Sequence, residues 1–166
     1  MTGTKARRGA PALADPLEWA EAPIVYDLEA VQERIPQRHE MALLQGVVFH
    51  DPDEHFAIGI HDSTDQDFWV RGHIPGRPLM PGVVMVEAAA QLSAFVSAWI
   101  TPQGDGSLFG FAGLDDVRFR GQVVPGDRLV IMARAKRVRR NMARFGTQVF
   151  VGENLVFEGD ILGASI

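Results

Sequence analysis

The stretch from Gly82 to Ile100 constrains this chain more than any other. It reads G-V-V-M-V-E-A-A-A-Q-L-S-A-F-V-S-A-W-I, and its single charge, Glu87, is the last before Asp105. Pro81 in front suits the first turn of a helix, where a missing N–H loses no partner, and Thr101-Pro102 marks the stop. At 1.5 Å per residue such a helix spans roughly 28 Å. Apolar on every side, it belongs inside a protein core or a membrane. Glu87, Gln91 and the serines within it, together with the lack of basic flanks, favour the core. Other elements must then wrap around one central helix.

The rest of the chain supplies strands to do so. Val117 and Phe119 alternate with Arg118 and Arg120. Leu129 to Val138 and Phe145 to Val151 are rich in β formers, and Leu155 to Ile161 follows a Gly152-Glu153-Asn154 turn. Upstream, strands are expected over Leu43 to Phe49 and Phe56 to Ile60, about a turn at Asp51-Pro52-Asp53. A short helix is expected from Tyr26 to Arg34, with Asp27 as its N-cap and Pro36 ending it. The order implies an α+β fold in which a twisted antiparallel sheet wraps one long helix. Residues 1–22, rich in Ala and Pro and without periodicity, read as a disordered extension. Residues 23–166 read as one domain.

Composition narrows the function. With 166 residues, 46% of them hydrophobic, there is material for one sizeable core. A net charge of −5 argues against a dedicated nucleic-acid binder. The absence of cysteine removes disulfides, thiolate metal sites and a cysteine nucleophile. Lys5, Arg7 and Arg8 precede no apolar export segment, so a soluble, cytoplasmic protein is expected. His50, Asp51, Asp53, His55 and His61 straddle a turn without a recognised ligand spacing, so no metal is expected. The Gly104-x-Gly106-x-x-x-Gly110 spacing has no strand–turn–helix unit around it and reads as a turn. No cofactor is called for.

Chemistry concentrates in Gly72 to Glu87, G-H-I-P-G-R-P-L-M-P-G-V-V-M-V-E. Pro75, Pro78 and Pro81 each disfavour α conformation in the residue before them, so His73 sits on an extended loop. Glu87 follows on the helix, where an acid without company would lose several kcal/mol of hydration. A histidine able to act as base and an acid kept in an apolar run make a proton-transfer pair.

These residues resemble the β-hydroxyacyl-acyl-carrier-protein dehydratases of the FabZ and FabA type, whose motif G-H-x-P-x-x-P-x-M-P-G-V is carried by Gly72 to Val83. Weaker matches run from Asp27 through Ile35-Pro36-Gln37-Arg38, and over Val117 to Arg120 and Val123 to Asp127. The resemblance spans residues 24–166. It implies a hot-dog fold, a site built from two subunits, a homodimer and, as in FabZ, a trimer of dimers. It makes His73 the catalytic histidine and Glu87 the catalytic acid, glutamate there being the FabZ choice. Gly82 and Val83, at the helix N-terminus, would bind the thioester carbonyl through backbone N–H. Gln91, one turn on, would orient the acid. The implied partner is an acyl-carrier protein bearing a phosphopantetheine-linked acyl chain. For it the basic run Lys136, Arg137, Arg139 and Arg140 offers a docking patch, although a solvated hairpin end has the same look.

Where P-H-R-Y-P-F-L-L-V-D is usual in the family, the chain reads Pro36-Gln37-Arg38-His39-Glu40-Met41-Ala42-Leu43-Leu44-Gln45, and it has Ile74 where an aromatic is usual. Those segments shape the acyl pocket in the family, so the motif leaves chain length open. Two other activities fit the same scaffold: an acyl thioesterase, and an acyl-binding subunit that lost turnover. The intact spacing from His73 to Glu87 favours the dehydratase.

Overall fold

The computed structural model describes residues 9–100 and 108–166. Along the chain lie helix α1 (Pro16–Ala20), strand β1 (Tyr26–Asp27), helix α2 (Leu28–Gln32), and strands β2 (Gly46–Asp51) and β3 (Phe56–Asp62). Helix α3 (Gly82–Ile100) follows, then strands β4 (Phe109–Phe119), β5 (Arg128–Arg139), β6 (Met142–Val151) and β7 (Asn154–Ser165). The strands make one antiparallel sheet in the order β1-β2-β3-β5-β6-β7-β4. Helix α3 crosses one face of it, touching β3 through β7.

Alternation along the strands explains how the sheet can bury both faces. On β3 and β5, Ala57, Leu129, Ile131 and Ala133 face α3, in one cluster with Met85, Leu92, Phe95, Phe145 and Phe157. The intervening residues Phe56, Ile58, Ile60, Val130 and Met132 form a second cluster on the far side. Each such large side chain, fully buried, contributes roughly 1.5–3 kcal/mol. Helix α3 is long and apolar enough to cross a membrane, yet 67% of that stretch is buried inside the protein. Buried Ser93 on this helix is satisfied locally, its hydroxyl donating to the Ala89 carbonyl at 2.8 Å.

Several boundaries differ from those expected. The disorder read over residues 1–22 does not hold for residues 9–22, whereas residues 1–8 lie outside the described part. Asp15 caps α1 through the Leu17 N–H, and Leu13, Ala14, Trp19, Ala20 and Ala22 pack on the outer cluster. Gln148 anchors this segment by accepting from the Leu13 N–H at 2.8 Å and donating to the Pro11 carbonyl at 3.0 Å. Arg128 donates to the Ala20 carbonyl while its guanidinium forks onto both oxygens of Asp62, at 2.6 and 2.8 Å. Those hydrogen bonds hold the Asp62 carboxyl below its ordinary range and raise Arg128 above its own.

Asp27 does cap α2, through the Ala30 N–H, but the helix stops at Gln32, and Tyr26 and Asp27 pair with β2. Strand β2 begins at Gly46 rather than Leu43, because Leu43 and Leu44 turn inward to the core before pairing starts. The expected stop at Thr101-Pro102 and most of the glycine-spaced loop lie outside the described residues. His50, one of the discounted metal candidates, packs against Tyr26, Phe95 and Trp99, and burial pushes its imidazole below the ordinary value. His61 is buried beside Asp67, at 3.5 Å.

Candidate active site

The loop between β3 and α3 is folded by its own backbone. The Trp69 carbonyl takes the N–H groups of both Gly72 and His73, at 3.1 and 2.8 Å, and the Trp69 side chain is buried in the core. Ile74 and Arg77 exchange hydrogen bonds across a turn whose Gly76 has φ 79°, a conformation that favours glycine. The Leu79 N–H then returns to the His73 carbonyl at 2.8 Å. His73 is thereby held at the centre of a small two-turn loop. The His73–Ile74 peptide is cis.

One further contact fixes the chemistry of the ring. His73 Nδ1 lies 2.7 Å from the Leu79 carbonyl oxygen. A carbonyl only accepts, so Nδ1 carries the proton and donates. In the neutral ring the lone pair is then on Nε2, and the imidazole is exposed. The loop presents a base through Nε2.

The acid is fixed from the other side. Gln91 is 1% exposed, and its amide is fully engaged. Its Nε2 donates to Glu87 Oε1 at 2.8 Å and to the Met41 carbonyl at 2.7 Å, while its Oε1 accepts from the Leu43 N–H at 3.0 Å. With both N–H donors and its oxygen engaged, this amide has one orientation, and among the described residues it leaves Glu87 one free oxygen. The segment that departs from the family pattern is thus clamped to the acid's neighbour by its backbone, which any side chains there would permit. Arg38 steadies that segment by donating to the carbonyls of Gln32 and Ile35, both at 2.7 Å.

Gly82 opens α3 against an aromatic wall. A Cβ at that position would stand 2.7 Å from the Phe119 ring, so only glycine fits without moving it. The amides of Gly82 and Val83 have no partner among the described residues. They leave donors free at the positive end of a 19-residue helix, about one turn ahead of Glu87. Val83 itself is 71% exposed.

Within one chain, no hydrogen bond or ion pair joins His73 to Glu87 among the described residues. The expected docking run divides. Lys136 is committed to buried Asp160 at 2.6 Å, whereas Arg137, Arg139 and Arg140 are exposed on the β5–β6 hairpin. That hairpin stands beside the C-terminal turn of α3, whose residues Ala98 and Ile100 share a cleft with Arg139 and Arg140. Sequence reasoning missed the carbonyls of Leu79 and Met41, because backbone partners leave no side-chain signature. The arrangement offers an imidazole whose Nε2 can act as base, a carboxyl group with one free oxygen, and amide donors for a developing negative oxygen.

Known proteins resemble this chain over most of its length. A family model described as a FabA-like domain matches residues 35–160. The curated 3-hydroxyacyl-[acyl-carrier-protein] dehydratase FabZ of Pelotomaculum thermopropionicum is 34% identical over 138 residues, 83% of this chain and 97% of the relative. The FabZ of Desulforamulus reducens is 35% identical over 138 residues, 83% of this chain and 96% of its own length. Among solved structures, the dehydratase heterocomplex ApeI:P of Xenorhabdus doucetiae aligns with a TM-score of 0.69 at 18% identity. That alignment covers 82% of this chain and 90% of the other, and it places the sheet and helix among hot-dog folds.

Proposed function

We propose, from the premise that this chain belongs to the FabA-like domain family, that it is a 3-hydroxyacyl-[acyl-carrier-protein] dehydratase of the FabZ kind. The observation that carries the reading is the pairing of a histidine whose free nitrogen is Nε2 with a glutamate held by a buried glutamine. A β-hydroxyacyl thioester becomes a trans-2-enoyl thioester by losing a proton from C2 and hydroxide from C3. His73 Nε2 takes the C2 proton, and Glu87, carrying a proton on its free oxygen, gives it to the departing hydroxyl, which leaves as water. The negative charge that gathers on the thioester oxygen meets the Gly82 and Val83 amides at the helix N-terminus.

No hydrogen bond or ion pair joins His73 to Glu87 among the described residues of one chain, and we take each site to be completed by a second copy. Strand β4 supports this: it is an edge of the sheet, 11 residues long, with Phe111, Leu114 and Phe119 exposed. A long apolar edge left bare would invite aggregation, and pairing with its own copy removes it. We place the protein in the cytoplasm as a homodimer, with a trimer of dimers as the larger assembly. The carrier protein docks through Arg137, Arg139 and Arg140, which antiparallel pairing of two β4 strands would carry toward the partner's helix N-terminus. Lys136, tied to Asp160, does not take part.

Crotonyl thioesters on carrier protein and on coenzyme A test the reading. Enoyl absorbance should fall without release of thiol, and charge reversal at Arg139 and Arg140 should raise KM for the carrier-borne substrate and flatten its salt dependence. Thiol release would make the protein a thioesterase. Silence on both, repeated with longer chains, would leave an acyl-binding subunit without turnover.

A further inference from the structure

We infer that Arg71 and Arg77 form a phosphate-binding pair at the mouth of the site, and that they seize the phosphate of the pantetheine arm by which a carrier protein presents its acyl chain. The inference rests on the dehydratase reading and adds a subsite to it. Three observations carry it. Both guanidinium groups belong to exposed residues, and neither makes a hydrogen bond or ion pair among the described residues. The loop's own carboxylates are occupied or turned elsewhere: Asp67 holds the Ser63 and Thr64 hydroxyls and faces His61, and Asp65 takes the Gln66 amide. No Asp or Glu stands between Asp67 and Glu87, so Arg71 and Arg77 are the only fixed charges on that stretch of the sequence.

Placement fits the ligand. Arg71 occupies the corner of the Trp69–His73 turn, and Arg77 is brought beside Ile74 by their mutual hydrogen bonds. Each Cα is therefore within about 7–8 Å of that of His73, and long side chains carry the charges farther out. The thioester reacts at His73, while the phosphate lies at the opposite end of the arm. Cations set back from the base by the length of an arginine side chain are what that end requires. Guanidinium suits the task, because its planar donors engage a phosphate by two parallel hydrogen bonds. Phe68 and Ile74 on this loop, and Val83 at the start of the helix it leads into, are exposed and offer apolar surface to the uncharged part of the arm.

Crotonyl thioesters of pantetheine and of 4′-phosphopantetheine differ only by that phosphate. The wild-type protein should prefer the phosphorylated substrate by about tenfold in kcat/KM, mainly through KM. In the R71Q/R77Q double variant this preference should shrink to within about twofold. Calorimetry with 4′-phosphopantetheine itself should show binding to the wild type and about tenfold weaker binding to the variant. An equal preference in both proteins, or none in the wild type, overturns the subsite. A larger loss on crotonyl-coenzyme A than on the crotonyl carrier overturns the carrier as the source of the phosphate. Were no thioester turned over at all, the dehydratase reading would fail, and calorimetry alone would still decide the phosphate site.

Discussion

Glu87→Gln lowers kcat by about a thousandfold, the scale expected when a proton donor is removed from the transition state. The amide carbonyl at position 87 can still accept the Gln91 hydrogen bond, so the clamp on Met41 and Leu43 persists and the fold is spared. The loss therefore falls on kcat with little change in melting temperature. His73→Ala should cost a similar factor. It frees only the Leu79 carbonyl, on a loop open to water. Near-full activity in either variant, with the substrate range unchanged, would remove that residue from the mechanism.

Deleting residues 1–22 has the largest expected effect on stability. It uncovers Val48, Phe56, Ile58, Ile60, Val130, Met132 and Phe150, and it takes Trp19 off Phe49, a ring pair at 4.8 Å. Partial re-exposure of that many side chains costs on the order of 5 kcal/mol. At roughly 2–4 °C per kcal/mol for a chain of this size, the melting temperature should fall by about 10–20 °C. A dye that binds apolar surface should bind the truncated protein. A melting temperature within about 2 °C of the full chain would mean that this segment covers nothing of consequence.

Those two regions were unequally legible in the sequence. The long helix was plain, because a run apolar on all sides with one acid admits few surroundings. The site motif was plain too, because a proline-spaced loop and a helix start are local features. The segment around Trp19 was not. Its few apolar residues lack a helical or strand period, and they gain meaning only against the outer face of β3 and β5. That face shows in the sequence as strands apolar on both sides, Phe56 to Ile60 and Leu129 to Ala133. Two-faced burial of a sheet requires a second cover, and the N-terminal residues were the chain left to supply it. The start of β2 was misplaced for a related reason. Leu43 and Leu44 have strand-like composition, but Gln91 draws the Leu43 amide to α3 before the ladder begins. The bulge in β4 that sets Asp116 at φ 54° left no trace in the alternation of Val117 and Phe119.

The most direct measurement of the whole account is to mix the two inactive proteins, His73→Ala and Glu87→Gln, under conditions where subunit exchange is demonstrated. If each site takes its base from one chain and its acid from the other, every mixed dimer regains one intact site. Random exchange then restores about a quarter of wild-type activity. No recovery, with mixed dimers shown to form, would contradict the shared site and place base and acid in the same chain.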